Sequence, residues 1–257
     1  MSRSIRNKAF LAASAFSLAS SLTGFALAQD AGCRQALALA LDVSGSVDAN
    51  EYRLQLDGLA AALTAPDVRD AILSPGAAPI ALNVFEWSGP SYQRTLVDWT
   101  LVDDAGVLGS VTETLHRTER QPAPPSTALG TAMAVGVQVL QSAPPCWRAT
   151  LDISGDGKSN TGPRPQDLDS LPAFADVTIN GLVILTIDGM GEGPGPEDLV
   201  SYYENLVIRG PDAFVEIADG FEDYERAMRR KLLREIKALA VGALPPGGSA
   251  DKAESLQ

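Results

Sequence analysis

The strongest pattern in the sequence is a set of short apolar runs that end abruptly in small polar residues. The first run, Leu37 to Leu41, stops at Asp42 and is followed by Ser44 and Ser46. An unbroken apolar run is typical of a strand covered on both faces, as in a parallel sheet, although periodicity alone does not separate it from a buried helix. Gly45 and its short polar neighbours indicate a tight turn, which favours the strand.

Several later segments have the same β-forming character. Residues 80–87 alternate too weakly for a wet face and predict a central strand, and residues 92–99 predict its hairpin partner across a Gly-Pro-Ser turn. The run at residues 147–153 leads into Ser-Gly-Asp-Gly, so its polar end resembles that of the first strand. Two more strands are expected at residues 177–187 and 213–217.

Apolar residues at helical spacing lie between these strands. Asp48 or Asn50 is a candidate cap for a helix that ends at Pro66. Further helical segments are expected at residues 67–73, 103–115, 128–141, 165–174, 197–206 and 221–240. The alternation of strands and helices, with one hairpin, predicts an α/β fold. We expect a doubly wound, mostly parallel sheet that is flanked by helices and has one antiparallel edge strand.

The two ends of the chain differ from its middle. Residues 1–28 combine three basic residues, an apolar stretch and a small-x-small cleavage sequence, which is typical of a secretory signal peptide. A membrane anchor is the alternative, but serines and threonines dilute the apolar stretch, so we expect no membrane span after cleavage. Residues 29–242 are expected to form one domain, and residues 243–257 a disordered tail.

The charge of the chain restricts its partners. The formal net charge is −12, and removal of the signal with its three basic residues makes the rest more acidic. Such a surface repels nucleic acid and anionic lipid, so neither is an expected partner. It favours cations and basic patches on proteins.

The chain has two cysteines, Cys33 and Cys146. Cysteines of an exported protein tend to pair. Cys33 lies nine residues before Asp42, and Cys146 lies ten residues before Asp156. If the two strands concerned are parallel neighbours, both cysteines lie at the same edge of the sheet. We therefore expect a disulfide between them, with two free buried thiols as the alternative.

Oxygen-bearing side chains are expected to meet at the opposite edge of the sheet. In open parallel sheets, ligands bind in the crevice beyond the carboxyl ends of the strands. Carboxylates and hydroxyls are hard ligands, which suit Mg²⁺ or Mn²⁺. The candidate ligands all follow a strand or stand at the entrance of a helix: Asp42, Ser44, Ser46, Thr127 and Asp156.

This set resembles the metal-ion-dependent adhesion site of the von Willebrand factor type A fold, which integrin inserted domains also contain. The family pattern is Asp-x-Ser-x-Ser, then a distant Thr, then a distant Asp at a strand end. Residues 42–46 match it fully, Thr127 matches in its Ser-Thr-Ala-Leu-Gly context, and Asp156 lies in Gly-Asp-Gly where Thr-Asp-Gly is usual. The resemblance covers about residues 34 to 240. The segments CWRATLDISGDGKSNTG, TINGLVI, YYENLVIRGPDAFV and RRKLLREI also look like those of uncharacterised secreted bacterial proteins with this domain.

The resemblance implies a function in binding. In the family, the two serines bind the metal directly, the threonine binds it directly or through water, and the aspartates act partly through water. Neutral hydroxyls leave much of the cation's charge uncancelled, and Mg²⁺ keeps a position that a partner's Asp or Glu can fill. We therefore expect a periplasmic or secreted module that captures an acidic group of a protein partner through Mg²⁺, with Mn²⁺ or Ca²⁺ as alternatives.

Two rival motifs fit the sequence less well. The stretch from Asp152 to Gly157 imitates the start of a calcium-binding EF-hand loop, but Pro163 stands where a bidentate Glu belongs. The glycine-rich residues 189–195 lack the Gly-Lys-Ser/Thr ending of a phosphate loop, and we interpret them as a flexible rim.

Enzymatic activity is not expected. His116 is the only histidine and its neighbours indicate a solvated helical face, so neither a Ser-His-Asp triad nor a zinc hydrolase is easily assembled. Two other functions are the alternatives: a metal-dependent hydrolase of the cell envelope, and a structural domain whose metal only stabilises it. The last predicted helix is locally basic, and we interpret its Lys and Arg residues, which include Lys231, as a solvated face that pairs with nearby acids.

Overall fold

The computed structural model describes residues 32–186 and 196–242. The predicted signal peptide, the whole glycine-rich stretch and the predicted tail lie outside these residues. Among the described residues, six strands form one sheet. In chain order they are Gln35–Asp42 (β1), Ile80–Trp87 (β2), Gln93–Val102 (β3), Ala149–Gly155 (β4), Thr178–Ile184 (β5) and Val215–Ala218 (β6).

The strand order confirms the predicted fold class. It is β3-β2-β1-β4-β5-β6, so β1 lies at the centre and the chain winds outward from it in both directions. Every neighbouring pair is parallel except β2 and β3, which form the predicted hairpin with β3 at the edge. The carboxyl ends of β1 and β4 are therefore adjacent, and this is the edge where the candidate ligands follow the strands.

Helices cover both faces of the sheet. They are Ala49–Thr64 (α1), Pro66–Ile72 (α2), Ala105–Arg117 (α3), Leu129–Gln141 (α4), Pro196–Tyr202 (α5) and Tyr224–Gly242 (α6). Asp48 caps α1 through the backbone N–H groups of residues 50 and 51, and Glu51 bonds back to the Asp48 N–H. This reciprocal capping box fixes where the chain leaves β1 and enters its first helix.

The two faces of β1 carry side chains of different size. Leu37, Leu39 and Leu41 belong to the core beneath α1 and α6, whereas the alanines between them belong to the core beneath α4. Small residues allow α4 to approach closely, and a Cβ added at Gly136 of α4 would lie 2.5 Å from Leu151 Cδ1. The apolar run therefore alternates in volume and not in polarity, as a strand buried on both faces requires.

Two predicted helices have a different form in the structure. Residues 165–174 do not make one helix, because the segment divides into two 3₁₀ turns, Pro165–Leu168 and Pro172–Phe174. Pro172 lacks the N–H that a continuous helix needs at this point. The expected helix over 197–206 is α-helical only to Tyr202 and continues as a π-helix, Tyr203–Val207.

The interpretation of α6 as a solvated basic face is wrong for Lys231. Arg226, Arg229 and Arg230 do pair with acids near the surface. The side chain of Lys231 is fully buried, where it contacts the carboxylates of Asp152 and Glu235. The sequence pattern does not reveal this inward lysine, because it lies among five other basic residues of the same helix.

Cys33 and Cys146 form a disulfide at the amino ends of β1 and β4. Their Cα atoms lie 4.6 Å apart, and the two residues form an isolated parallel bridge next to the strands. The expected pairing is therefore present in the structure. Within the described part of the chain, no helix has the length and apolar character needed to cross a membrane.

Candidate metal centre

The loop after β1 is shaped by its own polar groups. The backbone N–H of Ser44 donates to Asp42 Oδ1 over 2.8 Å, and the N–H of Val47 donates to the Ser44 carbonyl over 3.1 Å. These bonds turn the chain sharply, so the side chains of Asp42, Ser44 and Ser46 stay at the carboxyl edge of the sheet. Asp42 and Ser44 are buried, whereas Ser46 is exposed.

Two other segments meet this loop, so all five predicted residues come together. Thr127 lies just before α4, and its Oγ1 donates to Ser44 Oγ over 3.2 Å. Asp156 lies just after β4, and its Oδ1 accepts from Ser46 Oγ over 2.8 Å. The two serine hydroxyls are 3.4 Å apart. Three hydroxyls and two carboxylates therefore form one connected cluster from distant parts of the chain.

The two carboxylates of the cluster are incompletely satisfied. Asp42 Oδ2 and Asp156 Oδ2 are both buried, and neither accepts a hydrogen bond. Burial and the nearby Asp156 charge raise the pKa of Asp42 to about 8. Burial also raises the pKa of Asp156. A divalent cation would supply the missing partner for both oxygens, because buried carboxylates are normally paired or bound to metal.

The donor set suits a hard cation with part of its shell left open. Hydroxyl and carboxylate oxygens match Mg²⁺, Mn²⁺ or Ca²⁺, and Mg²⁺ binds through few carboxylates while keeping waters. Among residues 32–186 and 196–242, no group of three or more Asp, Glu, His or Cys residues could hold a metal. The candidate therefore depends on its hydroxyls, and only two of its side chains carry a negative charge.

Several residues that the sequence did not single out support the candidate ligands. Asn160 holds Thr127 from two sides, because its Oδ1 accepts from the Thr127 N–H and its own N–H donates to the Thr127 carbonyl, both over 2.9 Å. Gln55 of α1 donates to the Asp42 carbonyl over 3.0 Å. Arg120 donates to the carbonyls of Val47 and Asp48 and thereby braces the turn.

Tyr203 is a further residue of the site that sequence reasoning missed. Its fully buried hydroxyl has no hydrogen-bond partner, and burial together with the charges of Asp42 and Asp156 raises its pKa. A Cβ added at Gly155 would lie 2.7 Å from the Tyr203 Oη and 3.0 Å from Asp42 Oδ2. Glycine at this position therefore makes room for both groups. Tyr203 belongs to the π-helical turn, which has no recognisable sequence period.

The proline-rich loop before Thr127 packs directly on the serine loop. The Gly45 N–H donates to the Pro125 carbonyl over 3.0 Å, and a Cβ added at Gly45 would lie 2.8 Å from Pro125 Cβ. The Ala128 N–H donates to the carbonyl of Ser88, just beyond β2, over 2.8 Å. These contacts hold the loop, and with it Thr127, against the serine loop.

Other predicted features lie away from the cluster. His116 is on an exposed face of α3, where its Nδ1 lies 2.8 Å from Asp57 Oδ1 of α1. Asp152, the first residue of the rival EF-hand pattern, is buried within β4 beside Lys231. Asp152 and Asp156 therefore do not share a calcium loop.

Solved structures with the same fold are von Willebrand factor A proteins. A von Willebrand factor type A protein from Catenulispora acidiphila has a TM-score of 0.54 at 17% identity, over 79% of this chain and 43% of that one. The pilus adhesin SpaC from Lactobacillus rhamnosus GG has a TM-score of 0.58 at 14% identity, over 80% and 31%. At these identities the likeness establishes the fold, and this chain spans less than half the length of either protein.

A third relative has metal at the corresponding kind of site. Proximal thread matrix protein 1 from the mussel byssus, in a form with a zinc-occupied metal-ion-dependent adhesion motif, has a TM-score of 0.52 at 16% identity, over 81% of this chain and 48% of that one. No curated protein matches the sequence. Residues 32–240 match the family described as "Protein of unknown function (DUF1194)".

Proposed function

Because this chain belongs to the DUF1194 family and has the von Willebrand factor A fold, we propose that it is a metal-dependent protein-binding module of the adhesion type. A divalent cation, Mg²⁺ in the first instance, would be held by the serine, threonine and aspartate oxygens of the cluster. The cation would then capture a carboxylate of a partner protein. The cation's chemistry in this role is to accept one more oxygen ligand.

The observation that carries this proposal is the pair of buried, unpartnered oxygens, Asp42 Oδ2 and Asp156 Oδ2, beside three hydroxyls. The carboxylates attract a cation, and the hydroxyls hold it without cancelling its charge. A site with more carboxylates would bind the metal more tightly but leave less attraction for an acidic partner. The composition of this cluster therefore supports capture more than metal storage.

The proposal places the module outside the cytoplasm, in the periplasm or secreted. The disulfide between Cys33 and Cys146 supports this location, because disulfides persist in oxidising compartments. The expected signal peptide at residues 1–28 points the same way. Solved proteins with this fold include a pilus adhesin and a thread matrix protein from the mussel byssus, which agrees with the proposed setting.

The first test concerns the metal and its open position. Mn²⁺ binding is measured by water-proton relaxation, which reports the exchangeable waters that remain on the ion. We expect Asp42→Asn to weaken binding by about tenfold or more, since it removes a charged ligand. Asp70→Asn, at an exposed side chain of α2, is the charge-matched control and should bind as the wild type does.

The second test separates capture from a metal that only stabilises. Acetate should displace water from the bound Mn²⁺, whereas the neutral acetamide should not. Only a carboxylate is attracted by the positive charge that the protein ligands leave uncancelled on the ion. Crosslinking to envelope extracts should then depend on metal, fail with Asp42→Asn and be competed by acetate. A metal that raises the melting temperature without holding exchangeable water, and without changing capture, would contradict the proposal.

A further inference from the structure

A second polar cavity lies at the other end of the sheet. It has a volume of about 160 Å³ and is bounded by the amino ends of β1, β4 and β5, the loop before β6, and α6. Gln35 is the first residue of β1 and Thr178 the first of β5, so this cavity and the metal cluster lie at opposite edges. Nothing in the proposed adhesion function uses it.

The inner wall of the cavity has two acceptors without donors. Gln35 and Glu235 both line it and are more than nine-tenths buried. Gln35 Nε2 donates to Thr150 Oγ1 over 2.9 Å, while its Oε1 accepts nothing. Glu235 Oε1 accepts from Asn180 and Lys231, while its Oε2 accepts nothing. A ligand that donates N–H bonds would satisfy both oxygens.

A buried cluster of two acids and one base stands behind this wall. Lys231 contacts two carboxylates, those of Asp152 and Glu235, and all three side chains are buried. Within the described residues, no second buried cation faces this pair, so the cluster has one more acid than base. Burial, and then the Glu235 charge, raise the pKa of Asp152 to about 7, so the Glu235 carboxylate is the acid of this cluster that lines the cavity.

The outer wall has the opposite charge. Arg148 and Arg234 both line the cavity, and neither has an ion-pair partner among the residues that the structure describes. The Arg234 guanidinium lies 3.8 Å from the centre of the Phe214 ring, which holds it in place beside the opening. Asp212 also lies at the rim. Among the residues that the structure describes, it is the only non-glycine residue with a positive φ, which is 58°. Backbone strain of this kind clusters at ligand sites.

We propose that this cavity is a binding site for a small zwitterion, an α-amino acid with a short side chain. Its ammonium group would donate to Glu235 Oε2 and Gln35 Oε1, and its carboxylate would face Arg148 and Arg234. The volume admits this class, because space for about five waters at about 30 Å³ each also holds the few non-hydrogen atoms of glycine or alanine. It is too small for a drug-sized ligand, which needs about 300 Å³ or more.

The test measures binding of glycine and L-alanine to the full chain by titration calorimetry, in the presence of chelator. The chelator excludes any contribution from the metal cluster, so failure here and failure of the adhesion proposal remain distinguishable. Acetate and methylammonium are the half-ligand controls, because each presents one of the two charged groups. We expect saturable binding of an amino acid and weaker binding of both half-ligands.

Two variants of cavity residues and one control variant locate the site. Arg148→Gln should weaken amino-acid binding by about tenfold or more, through loss of a charge-assisted bond. Arg117→Gln, at a highly exposed side chain of α3, should leave it unchanged. Glu235→Gln should abolish the preference for glycine over acetate. Absence of saturable binding, equal binding of acetate alone, or binding that Arg148→Gln does not alter would each overturn the proposal.

Discussion

Asp42 is buried at the end of the central strand with one carboxylate oxygen satisfied and the other without a partner. A protein does not keep such a group without a reason, since leaving a buried charged acceptor unpaired costs several kcal/mol of folding free energy. Its surroundings indicate the reason, because Asp156 also has a buried oxygen without a partner. The hydroxyls of Thr127, Ser44 and Ser46 form a connected series of contacts that reaches Asp156. This residue-scale chemistry supports the proposed cation site.

Gly155 is the position where this chemistry is most sensitive to added volume. In Gly155→Ala the new Cβ would meet the Tyr203 Oη at 2.7 Å and Asp42 Oδ2 at 3.0 Å. We expect a loss of about 1–3 kcal/mol in the free energy of unfolding and weaker Mn²⁺ binding, because neither buried group can move freely. Urea denaturation and Mn²⁺ titration would measure the two effects.

Gly157→Ala is the matched control for this substitution. A Cβ at Gly157 would meet nothing within 4 Å, although the residue is only two positions away. Its stability and metal affinity should stay close to those of the wild type. Equal effects of the two substitutions would show that the packing against Tyr203 does not matter to the site.

The balance of hydroxyls and carboxylates gives a second prediction. In Ser44→Asp a third carboxylate joins Asp42 and Asp156 around the cation. We expect tighter Mg²⁺ binding, by about tenfold, because opposite charges at contact distance attract strongly in a partly buried site. Capture of the acidic partner should weaken, since the cation keeps less uncancelled charge.

The comparison of metal titration with crosslinked capture checks this prediction. Ser44→Ala is the companion variant, because it removes a ligand without adding charge and should lower both metal affinity and capture. Capture by Ser44→Asp that equals or exceeds that of the wild type would contradict the account of the hydroxyl ligands.

At the scale of elements, α6 docks on the sheet through a buried polar cluster as well as through apolar contacts. Lys231 and Glu235 of α6 meet Asp152 of β4 and Asn180 of β5. Burying such a cluster gains little stability by itself, but breaking it leaves an uncompensated charge. The cluster therefore holds α6 in one position against the sheet.

The pKa of Asp152 predicts how stability depends on pH. The folded protein keeps a proton on Asp152 up to about pH 7, whereas the unfolded chain loses it near the ordinary aspartate pKa of 3.8. The folded state thus binds more protons between these values, and the free energy of unfolding falls as pH rises through this window. Asp152→Asn cannot lose a proton, so its stability should fall less between pH 5 and pH 8.

Urea denaturation in chelator at several pH values measures this difference. Asp70→Asn removes a carboxylate from an exposed site and should keep the wild-type dependence on pH. Parallel profiles for wild type and Asp152→Asn would show that Asp152 ionises in the folded state much as it does in the unfolded chain.

Most elements were predictable because their signals are local. The apolar run and sudden end of β1, the cap at Asp48 and the Gly-Pro-Ser turn of the hairpin each depend on neighbouring residues. Two features could not be read in this way. The inward turn of Lys231 depends on Asp152, 79 positions away by number, and the π-helix at Tyr203 packs against Gly181 of β5. The division of residues 165–174 at Pro172 does have a local cause, because a proline cannot donate the bond that a continuous helix needs.

The candidate site was predictable to a similar extent. Its five ligand positions follow from a motif and from the rule that ligands bind beyond the carboxyl ends of parallel strands. The residues that brace them, such as Asn160, Gln55 and Arg120, have no motif, because their role is set by backbone groups that only the folded chain brings within reach. Long-range side-chain to backbone bonds leave no period in a sequence.

At the scale of the whole molecule, the disulfide closes a large loop. Cys33 and Cys146 are separated by 113 positions and join the two strands that lead to the serine loop and to Asp156. A link across about 100 residues restricts the unfolded chain strongly in the chain-entropy model. We expect Cys33→Ser/Cys146→Ser to lower the free energy of unfolding by about 2–5 kcal/mol.

Denaturation of the double variant beside wild type, with and without reductant, measures this contribution. Reductant should bring the wild type to the stability of the variant and leave the variant unchanged. Mn²⁺ affinity in native conditions should stay the same, because the disulfide and the metal cluster lie at opposite edges of the sheet. A double variant as stable as oxidised wild type would rule out this role.

The position of the disulfide also determines how a pulling force on the chain would be distributed over the sheet. A pull on the chain before residue 32 reaches Cys33 first, and the covalent bond passes part of that force to Cys146 and β4. Tension then runs along two neighbouring strands towards the loops that hold Ser44 and Asp156. Neither strand has to resist peeling alone, so a force applied at this end would be shared by the two strands that lead to the candidate site.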